Sequence, residues 1–166
     1  MSWLKFVKEI QKREKLVLEQ GGKDAVKKQH EKGRNTIRER INLILDKNTF
    51  DEIGKISGSS IYGDDGGLEG FTPANFLLGF GKINNRSIII GGEDFTLKGG
   101  SPNAAGLRKS IYTEDLALKY KIPLIRLHEG GGGSVAGANN SKSQSNLPSS
   151  EPVFSKNRFQ SLAQCL

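Results

Sequence analysis

A run of glycines after a short apolar segment is the part of this sequence whose residue types could do chemistry. Residues 124–137 read LIRLHEGGGGSVAG, with four consecutive glycines at 130–133. Glycine lets a ligand approach the main chain closely, so the run is interpreted as a loop whose backbone acts on a ligand. The alternative is a flexible tether, which the same Gly/Ser composition also favours. His128 and Glu129 lie beside the run and could polarise it, although a surface or supporting role suits both.

The segments before the glycine run favour the first interpretation. The residues IIIGG, the helical pattern LRKSIYTEDLALKYK and the short apolar run PLIRL follow one another in that order. Strand, helix and strand predict a β–α–β unit with parallel strands and a right-handed crossover. The glycines then follow the carboxyl end of a buried strand, where ligands bind in open α/β folds. The helix offers four apolar residues to the core: Leu107, Ile111, Leu116 and Leu118.

Two strands around a tight turn are predicted just upstream. The segments NFLLGFGKI and RSIIIGGEDFTL flank Asn84 and Asn85, and asparagine tolerates the positive φ of a hairpin turn. Residues 76–83 are therefore predicted to be a strand. The glycines at 79, 81, 91 and 92 do not have the spacing of a dinucleotide fingerprint, which argues against a Rossmann fold.

The first 45 residues are predicted to form a basic helical arm. Gly21 and Gly22 interrupt the helical pattern, and a second helix over KDAVKKQHEK stops at Gly33. Thr36, followed by Glu39 three residues later, predicts a capping box at the start of a third helix. The apolar stripe of that helix consists of Ile37, Ile41, Ile44 and Leu45.

Charge and composition narrow the classes of function. The net charge is +7, and residues 1–45 hold 12 Lys/Arg against 6 Asp/Glu. Such a charge run is usually a solvated helix face, and it lacks the interleaved aromatic residues that would favour nucleic-acid binding. The single Cys165 excludes a disulfide framework and a cysteine-based zinc site.

The sequence shows neither a membrane-span pattern nor a signal-peptide pattern. No apolar run approaches the roughly 18 residues that a membrane span needs. The first 15 residues have no apolar signal-peptide core and include Glu9 and Glu14, so a cytoplasmic protein is expected.

The C-terminal part divides into a polar loop and a helical pattern. Residues 138–150, ANNSKSQSNLPSS, are expected to be a flexible loop. The segment EPVFSKNRFQSLAQCL then has apolar residues at helical spacing, namely Phe159, Leu162, Ala163 and Leu166.

Several motifs together resemble one family over roughly residues 28–166. The runs QHEKGRNTIRERINLILDKNTFDEIG, FTPANFLLGFGKINNRSIIIGGEDFTLKGGS, KIPLIRLHEGGGGSV and EPVFSKNRFQSLAQ occur in the family's order. They resemble the carboxyltransferase (beta) subunits of biotin-dependent acyl-CoA carboxylases, of the propionyl-CoA and methylcrotonoyl-CoA type. The zinc-ribbon cysteines of the bacterial acetyl-CoA carboxylase beta subunit are absent.

The resemblance implies an α/β protein with a partial crotonase-like (ClpP/crotonase) ββα fold, preceded by the helical arm. It implies an acyl-CoA substrate, and carboxybiotin supplied by a carrier domain or subunit, with no metal in this chain. The implied partners are a biotin carboxylase or biotin carrier subunit and further copies of the subunit, but neither nucleic acid nor a membrane.

Family members are longer than 166 residues, so residues 46–166 are expected to be an incomplete N-terminal carboxyltransferase domain, inactive alone. A non-catalytic remnant or an assembly module that binds carboxylase subunits is the alternative, and a nucleic-acid-binding protein is the least favoured.

The resemblance also suggests roles for individual residues. Carboxylation of an α-carbon needs an enolate, and main-chain N–H groups stabilise the charge on its oxygen. One half of such an oxyanion hole is assigned to Gly131, Gly132 and Gly133. No side-chain base is required, because biotin receives the α-proton in the family. The phosphates of CoA are expected to bind cations and backbone N–H groups. The candidate cations are Lys98, Arg108 and Lys109, and the candidate backbone is that of Gly99 and Gly100.

Overall fold

Helices fill the N-terminal third of the chain, and six strands with one further helix make up residues 51–127. The protein is represented by a computed structural model that describes residues 3–101 and 103–129. The helices are α1 (Leu4–Leu18), α2 (Lys23–Glu31), α3 (Ile37–Ile44) and α4 (Ala104–Tyr120). The strands are β1 (Asp51–Glu52), β2 (Gly58–Tyr62), β3 (Leu68–Pro73), β4 (Phe76–Ile83), β5 (Arg86–Glu93) and β6 (Leu124–Leu127). The predicted loop 138–150 and the helical pattern after it lie outside the described residues.

The main sheet has the strand order β1-β4-β5-β6. Strands β4 and β5 pair antiparallel across Asn84 and Asn85, whose φ angles of 49° and 62° give the hairpin turn that the sequence predicts. Both turn N–H groups donate to the carboxylate of Asp46, at 3.0 and 2.7 Å. The predicted strand at residues 76–83 is thus confirmed.

The predicted β–α–β unit is also present. Strand β6 pairs parallel with β5, and α4 connects the two strands. Ile90 lies opposite Ile125, and Gly92 lies opposite Leu127, so β5 and β6 reach their carboxyl ends side by side.

Helices cover both faces of the sheet. On one face, α3 contributes Ile37, Ile41 and Leu45 to a core that includes Leu77, Ile88 and Ile90. On the other face, α4 contributes Leu116 and Ala117 to a core with Phe76, Leu78 and Ile89. A sheet covered on both sides needs consecutive apolar residues, which explains the run Ile88–Ile90. The predicted arm, residues 1–45, therefore ends in a helix that belongs to the main core.

Two residues predicted to face the core are exposed. Ile44 is 38% exposed, because α3 ends there and Leu45 turns into extended backbone that reaches the sheet instead. Ile111 is 41% exposed, because the buried face of α4 runs through Lys109, Ser110 and Thr113. Leu116 is buried as predicted.

A second, two-stranded sheet, β2 with β3, was not predicted from the sequence. Helix α1 contacts it through polar groups. Lys12 Nζ donates to the Leu68 carbonyl at 2.6 Å, and the Tyr62 hydroxyl donates to Glu9 at 2.9 Å. The guanidinium of Arg13 lies 5.5 Å from the centre of the Phe71 ring. No helix among the described residues is long and apolar enough to cross a membrane.

Candidate functional site

The carboxyl ends of β5 and β6 form one edge of the sheet, and the glycine run follows directly from it. Glu93 ends β5, and His128 follows β6, with its Nδ1 at 3.1 Å from Glu93 Oε1. Gly131, Gly132 and Gly133 lie outside the described residues, so their assignment to an oxyanion hole stays a prediction.

Glu129, the last described residue before the glycines, is held by two arginines. Its Oε1 lies 3.2 Å from Arg34 Nη1, and its Oε2 lies 3.5 Å from Arg40 Nη1. Arg40 is on α3, and Arg34 lies between α2 and α3. Two arginines of the helical arm therefore contact the last residue before the glycine run.

The predicted CoA-binding turn lies between β5 and α4. Lys98, Gly99 and Gly100 form a short 3₁₀ turn with φ angles of 49°, 60° and 74°, all in the left-handed region. A Cβ on Gly100 would lie 2.6 Å from the ring of Phe95, so both the backbone and the space require glycine there. Lys98 and Gly99 are exposed, whereas Gly100 is buried.

Two asparagines hold this turn against the sheet. Asn75 is buried; its Nδ2 donates to the Ser101 carbonyl at 2.5 Å, and its Oδ1 accepts from Asn103 N at 3.1 Å. Asn103 then caps α4 by accepting from Gly106 N at 2.7 Å. A Cβ on Gly106 would collide with Asn75 Oδ1. The role of Asn75 was not predicted, because its signal in the sequence is just a polar residue directly before a buried strand.

Asp94 anchors the start of the same turn. It is buried, and its Oδ1 accepts from Thr96 N at 3.0 Å and from Thr96 Oγ1 at 2.5 Å. Burial raises the pKa of Asp94, and the hydrogen bonds from Thr96 oppose that rise. Gly21 N donates to Thr96 Oγ1 at 2.8 Å, which ties the end of α1 to this turn.

The three predicted cations do not share one environment. Lys98 and Arg108 are exposed and make no hydrogen bond or ion pair with the described residues. Lys109 is only 8% exposed. Its Nζ donates to the Gly54 carbonyl at 3.3 Å and lies 3.9 Å from Glu52 Oε1. Lys109 thus points into the protein.

The environment of Lys109 changes its acidity. Burial lowers its pKa to about 8; the carboxylate of Glu52 opposes this shift, and the charge of Arg38 adds to it. Arg38 binds Glu52 with both Nη atoms, at 2.8 and 3.3 Å. Two cations therefore share one carboxylate.

A cavity of about 200 Å³ opens beside this turn. Its apolar wall is formed by Phe76 of β4, Leu107 of α4, and the two glycines Gly100 and Gly106. The cavity lies at the carboxyl edge of β5 and β6, where ligands bind in α/β sheets. Apolar walls with a few polar groups are typical of small-molecule sites.

The polar groups of the cavity centre on Arg126 of β6. Its Nη1 lies 2.6 Å from Glu114 Oε1, and its Nη2 donates to Ser110 Oγ. Its guanidinium lies 5.4 Å from the centre of the Phe76 ring. Glu93 and His128 complete this polar part. No role was predicted for Arg126, Glu114 or Ser110, because a lone arginine in a short strand forms no recognisable motif.

The described residues offer no obvious metal site. Within residues 3–101 and 103–129, no group of three or more His, Cys, Asp or Glu side chains could hold a metal ion. The groups that the site does offer are main-chain amides, exposed cations and a cavity.

Comparison with known proteins gives one consistent family. The model of the carboxyl transferase domain matches residues 28–156. The propionyl-CoA carboxylase beta chain of Cereibacter sphaeroides is 31% identical over 132 residues, covering 78% of this chain and 26% of that one. The methylmalonyl-CoA carboxyltransferase 12S subunit of Propionibacterium freudenreichii subsp. shermanii is 30% identical over 132 residues, covering 78% of this chain and 25% of that one.

Solved structures of carboxyltransferases also resemble this chain. A transcarboxylase 12S structure, with methylmalonyl-coenzyme A and methylmalonic acid bound, aligns with a TM-score of 0.66 at 28% identity. The alignment covers 81% of this chain and 26% of that one. The beta subunit of geranyl-CoA carboxylase from P. aeruginosa aligns with a TM-score of 0.59 at 26% identity, over 80% of this chain and 24% of that one.

The expected α/β, crotonase-like fold is thus confirmed by its structural neighbours. The chain spans about a quarter of the length of the relatives that it matches. Because the family model covers most of its residues, this chain belongs to the carboxyl transferase domain family, and it is homologous to the beta subunits of biotin-dependent acyl-CoA carboxylases.

Proposed function

We propose that this chain is the N-terminal part of an acyl-CoA carboxylase carboxyltransferase subunit. In this role it takes part in moving a carboxyl group from carboxybiotin to the α-carbon of an acyl-CoA. The observation that carries the proposal is the family match across residues 28–156. That range includes the carboxyl ends of β5 and β6, the ion-paired Glu129 and the glycine run. The cytoplasmic location stays a prediction from the sequence.

The chemistry assigned to the chain is stabilisation of an enolate. When the α-proton leaves, negative charge builds on the thioester oxygen, and fixed N–H donors at that point lower the barrier. Gly131, Gly132 and Gly133 are the proposed donors. A donor stabilises a transition state only if it is already held in place. The ion pairs of Glu129 with Arg34 and Arg40 support the proposal, because they hold the chain just before the glycines.

The substrate side of the proposal rests on the turn before α4. Lys98 and Arg108 are exposed cations available to the phosphates of CoA, and the exposed backbone of Gly99 lies between them in sequence, next to the buried Gly100. Lys109 is less suited to direct contact, because its Nζ is engaged by Gly54 and Glu52. We assign Lys109 to holding α4 and its N-terminal turn in place.

The partners proposed are those of the family. Carboxybiotin would arrive on a carrier domain or subunit charged by a biotin carboxylase. The solved 12S relative is described as a hexamer with a coenzyme A compound bound. By analogy, an oligomer is proposed for the complete subunit to which this chain corresponds.

The test is a reconstitution. The 166-residue chain should show little or no transfer from carboxybiotin to propionyl-CoA, since transfer needs both substrates held in near-attack geometry. Addition of a polypeptide corresponding to the remaining three quarters of the Cereibacter sphaeroides subunit should restore transfer. Robust turnover by the chain alone would contradict the proposed inactivity. The proposed catalytic role would be refuted by a stable reconstituted complex that neither binds propionyl-CoA nor transfers.

One observation favours an assembly role as a second candidate. The outer face of α1 presents Trp3, Phe6, Val7 and Ile10 to solvent, and Trp3 is 81% exposed. Neighbouring exposed apolar residues of this kind mark protein interaction sites. If assembly is the main role, the chain should bind the rest of the subunit tightly while transfer stays absent. Exchange of Trp3 and Phe6 for serine should then abolish that binding.

A further inference from the structure

Asn75 is a buried residue whose hydrogen bonds join three parts of the site. It is 3% exposed and lies directly before β4, and its main-chain carbonyl accepts from Asp94 N, directly after β5, at 2.9 Å. Its Nδ2 donates to the Ser101 carbonyl at 2.5 Å, and its Oδ1 accepts from the N–H of Asn103, the N-cap of α4, at 3.1 Å. One side chain therefore connects the sheet, the turn at residues 98–101 and α4.

The turn needs such support because its own backbone conformation is unfavourable. Lys98, Gly99 and Gly100 all have positive φ angles, and Lys98 has a Cβ that disfavours the left-handed region. A conformation of this kind persists where its surroundings hold it. Ser101 N donates to the Lys98 carbonyl within the turn, at 3.2 Å. The amide of Asn75 adds a contact that fastens Ser101 to the sheet.

The space around the amide fixes its orientation. A Cβ on Gly106 would lie 2.2 Å from Asn75 Oδ1, so the first turn of α4 packs directly against the amide. The oxygen faces the N–H of Asn103 and the nitrogen faces the Ser101 carbonyl, since the reverse arrangement would place two donors and two acceptors together. The position therefore needs one donor and one acceptor in a single planar group of this size.

We infer that Asn75 is a positioning residue for the substrate side of the reaction: its amide holds the turn at residues 98–101 in the conformation in which that turn binds substrate. The inference rests on the proposed function, which assigns this turn to the acyl-CoA. A looser turn would occupy the binding conformation for less of the time, and the apparent affinity falls by that fraction. The residue before the glycine run is held separately, by Arg34 and Arg40. Loss of the amide should therefore raise KM and leave kcat unchanged.

The test replaces the amide by a group whose hydrogen bonding changes with pH. In Asn75→Asp, the carboxylate keeps an acceptor for Asn103 N but has no proton for the Ser101 carbonyl. The protonated acid has both a donor and an acceptor, so at low pH it reproduces the amide. Asn42→Asp makes the same change at an exposed position on α3 and is the matched control. Gly106→Ala is the second variant, because its methyl group displaces Asn75 Oδ1 and alanine suits a helix.

Hydrogen exchange of the 166-residue chain tests the turn without substrate. At pH 8, the amides of Gly100 and Ser101 should exchange about tenfold faster in Asn75→Asp than in the wild type, whereas the amide of Leu78 should not change. At pH 5 this ratio should return to about one. The ratio is used because the ionisable residues that line the same cavity or bond to Asn75 are common to both proteins: Glu93, Asp94, Arg126 and His128. Thermal melts at both pH values show that each variant is folded.

Kinetics of the reconstituted subunit test the substrate side. At pH 8, Asn75→Asp and Gly106→Ala should each raise the KM for propionyl-CoA about tenfold and keep kcat within about twofold of the wild type. Asn42→Asp should change neither constant. If Asn75→Asp does not fold, Gly106→Ala decides the kinetic prediction, because it leaves Asn75 itself intact.

The outcomes separate this inference from the proposed function. The positioning role is overturned if the turn of Asn75→Asp exchanges at the wild-type rate, if its faster exchange persists at pH 5, or if the variants lower kcat at an unchanged KM. The proposed function survives any of these results as long as the reconstituted wild type transfers. If the reconstituted wild type does not transfer, the proposed function fails, and the exchange ratio still decides whether Asn75 holds the turn.

Discussion

Lys109 extends from α4 to the Gly54 carbonyl and Glu52, where burial lowers its pKa to about 8 from the usual 10.5. Above pH 8 the folded protein releases this proton, while the unfolded chain keeps it until about pH 10.5. The unfolded state then binds more protons, so stability rises with pH across this window.

The prediction compares the pH dependence of stability in the wild-type chain and in the Lys109→Met variant. The free energy of unfolding of the wild-type chain, minus that of Lys109→Met, should increase by up to about 3 kcal/mol between pH 8 and pH 10.5. Urea unfolding at several pH values measures this difference. Because other lysines and tyrosines titrate equally in both proteins, their contributions cancel. A difference that stays constant with pH would mean that Lys109 is not perturbed.

A second residue-scale prediction concerns the glycine run. In the reconstituted subunit, Gly132→Pro should lower kcat by about 10²–10³, because proline removes one N–H and fixes φ. Gly132→Ala keeps the N–H and serves as the matched control, with a smaller loss. Steady-state kinetics with propionyl-CoA measure both. Equal activity of the proline variant and the wild type would place the oxyanion donors elsewhere.

At the scale of elements, α4 shows where sequence patterns work and where they fail. Its existence, its place between two parallel strands and the burial of Leu116 follow from periodicity. Its second and third turns, however, bury Lys109, Ser110 and Glu114 against partners outside the helix. The spacing of apolar residues placed Ile111 in the core instead. A polar helix face can be buried only where other elements supply hydrogen-bond and ion-pair partners, and the helix sequence does not reveal those partners.

The same limit explains the rest of the site. The sheet edge was predictable, since a β–α–β unit fixes where β5 and β6 end. The cavity was not, because Arg126 and Glu93 come from different strands, and Phe76 comes from a third. The β2–β3 pair was also missed, because β2 is mostly exposed and neither strand alternates regularly between buried and exposed residues.

A prediction at this scale tests the capping box of α3. Thr36 Oγ1 accepts from Glu39 N, and Glu39 Oε2 accepts from Thr36 N at 2.7 Å. Thr36→Ala should lower the free energy of unfolding by about 1 kcal/mol. Thr36→Ser keeps the hydroxyl and should lose much less. If both variants unfold at the same urea concentration as the wild type, the cap does not stabilise α3.

At the scale of the whole molecule, the N-terminal helices and the glycine run are connected through Glu129. Arg34 and Arg40 reach it from the arm, and α3 also supplies part of the main core. The arm is therefore joined to the main sheet by packing, and to the residue before the predicted catalytic glycines by charge.

This connection predicts a kinetic effect at a distance. In the reconstituted subunit, the double variant Arg34→Gln with Arg40→Gln should reduce kcat up to about fivefold, as expected for partly exposed ion pairs. The KM for propionyl-CoA should change little, since neither arginine is assigned to substrate. Arg86→Gln, at an exposed arginine that begins β5, is the control. A change confined to KM would indicate substrate contact instead of positioning.

The pairing of β5 with β6 also has a consequence for the order in which the protein folds. The turn at Asn84 and Asn85 joins β4 to β5 locally, whereas Ile89 meets Leu124 only after the whole of α4 has intervened. Closing a longer loop costs more entropy, so the hairpin should form before β6 docks. The edge that carries the site is then completed late in folding, and the amide of Ile125 should exchange with solvent faster than that of Leu78 at the centre of the sheet.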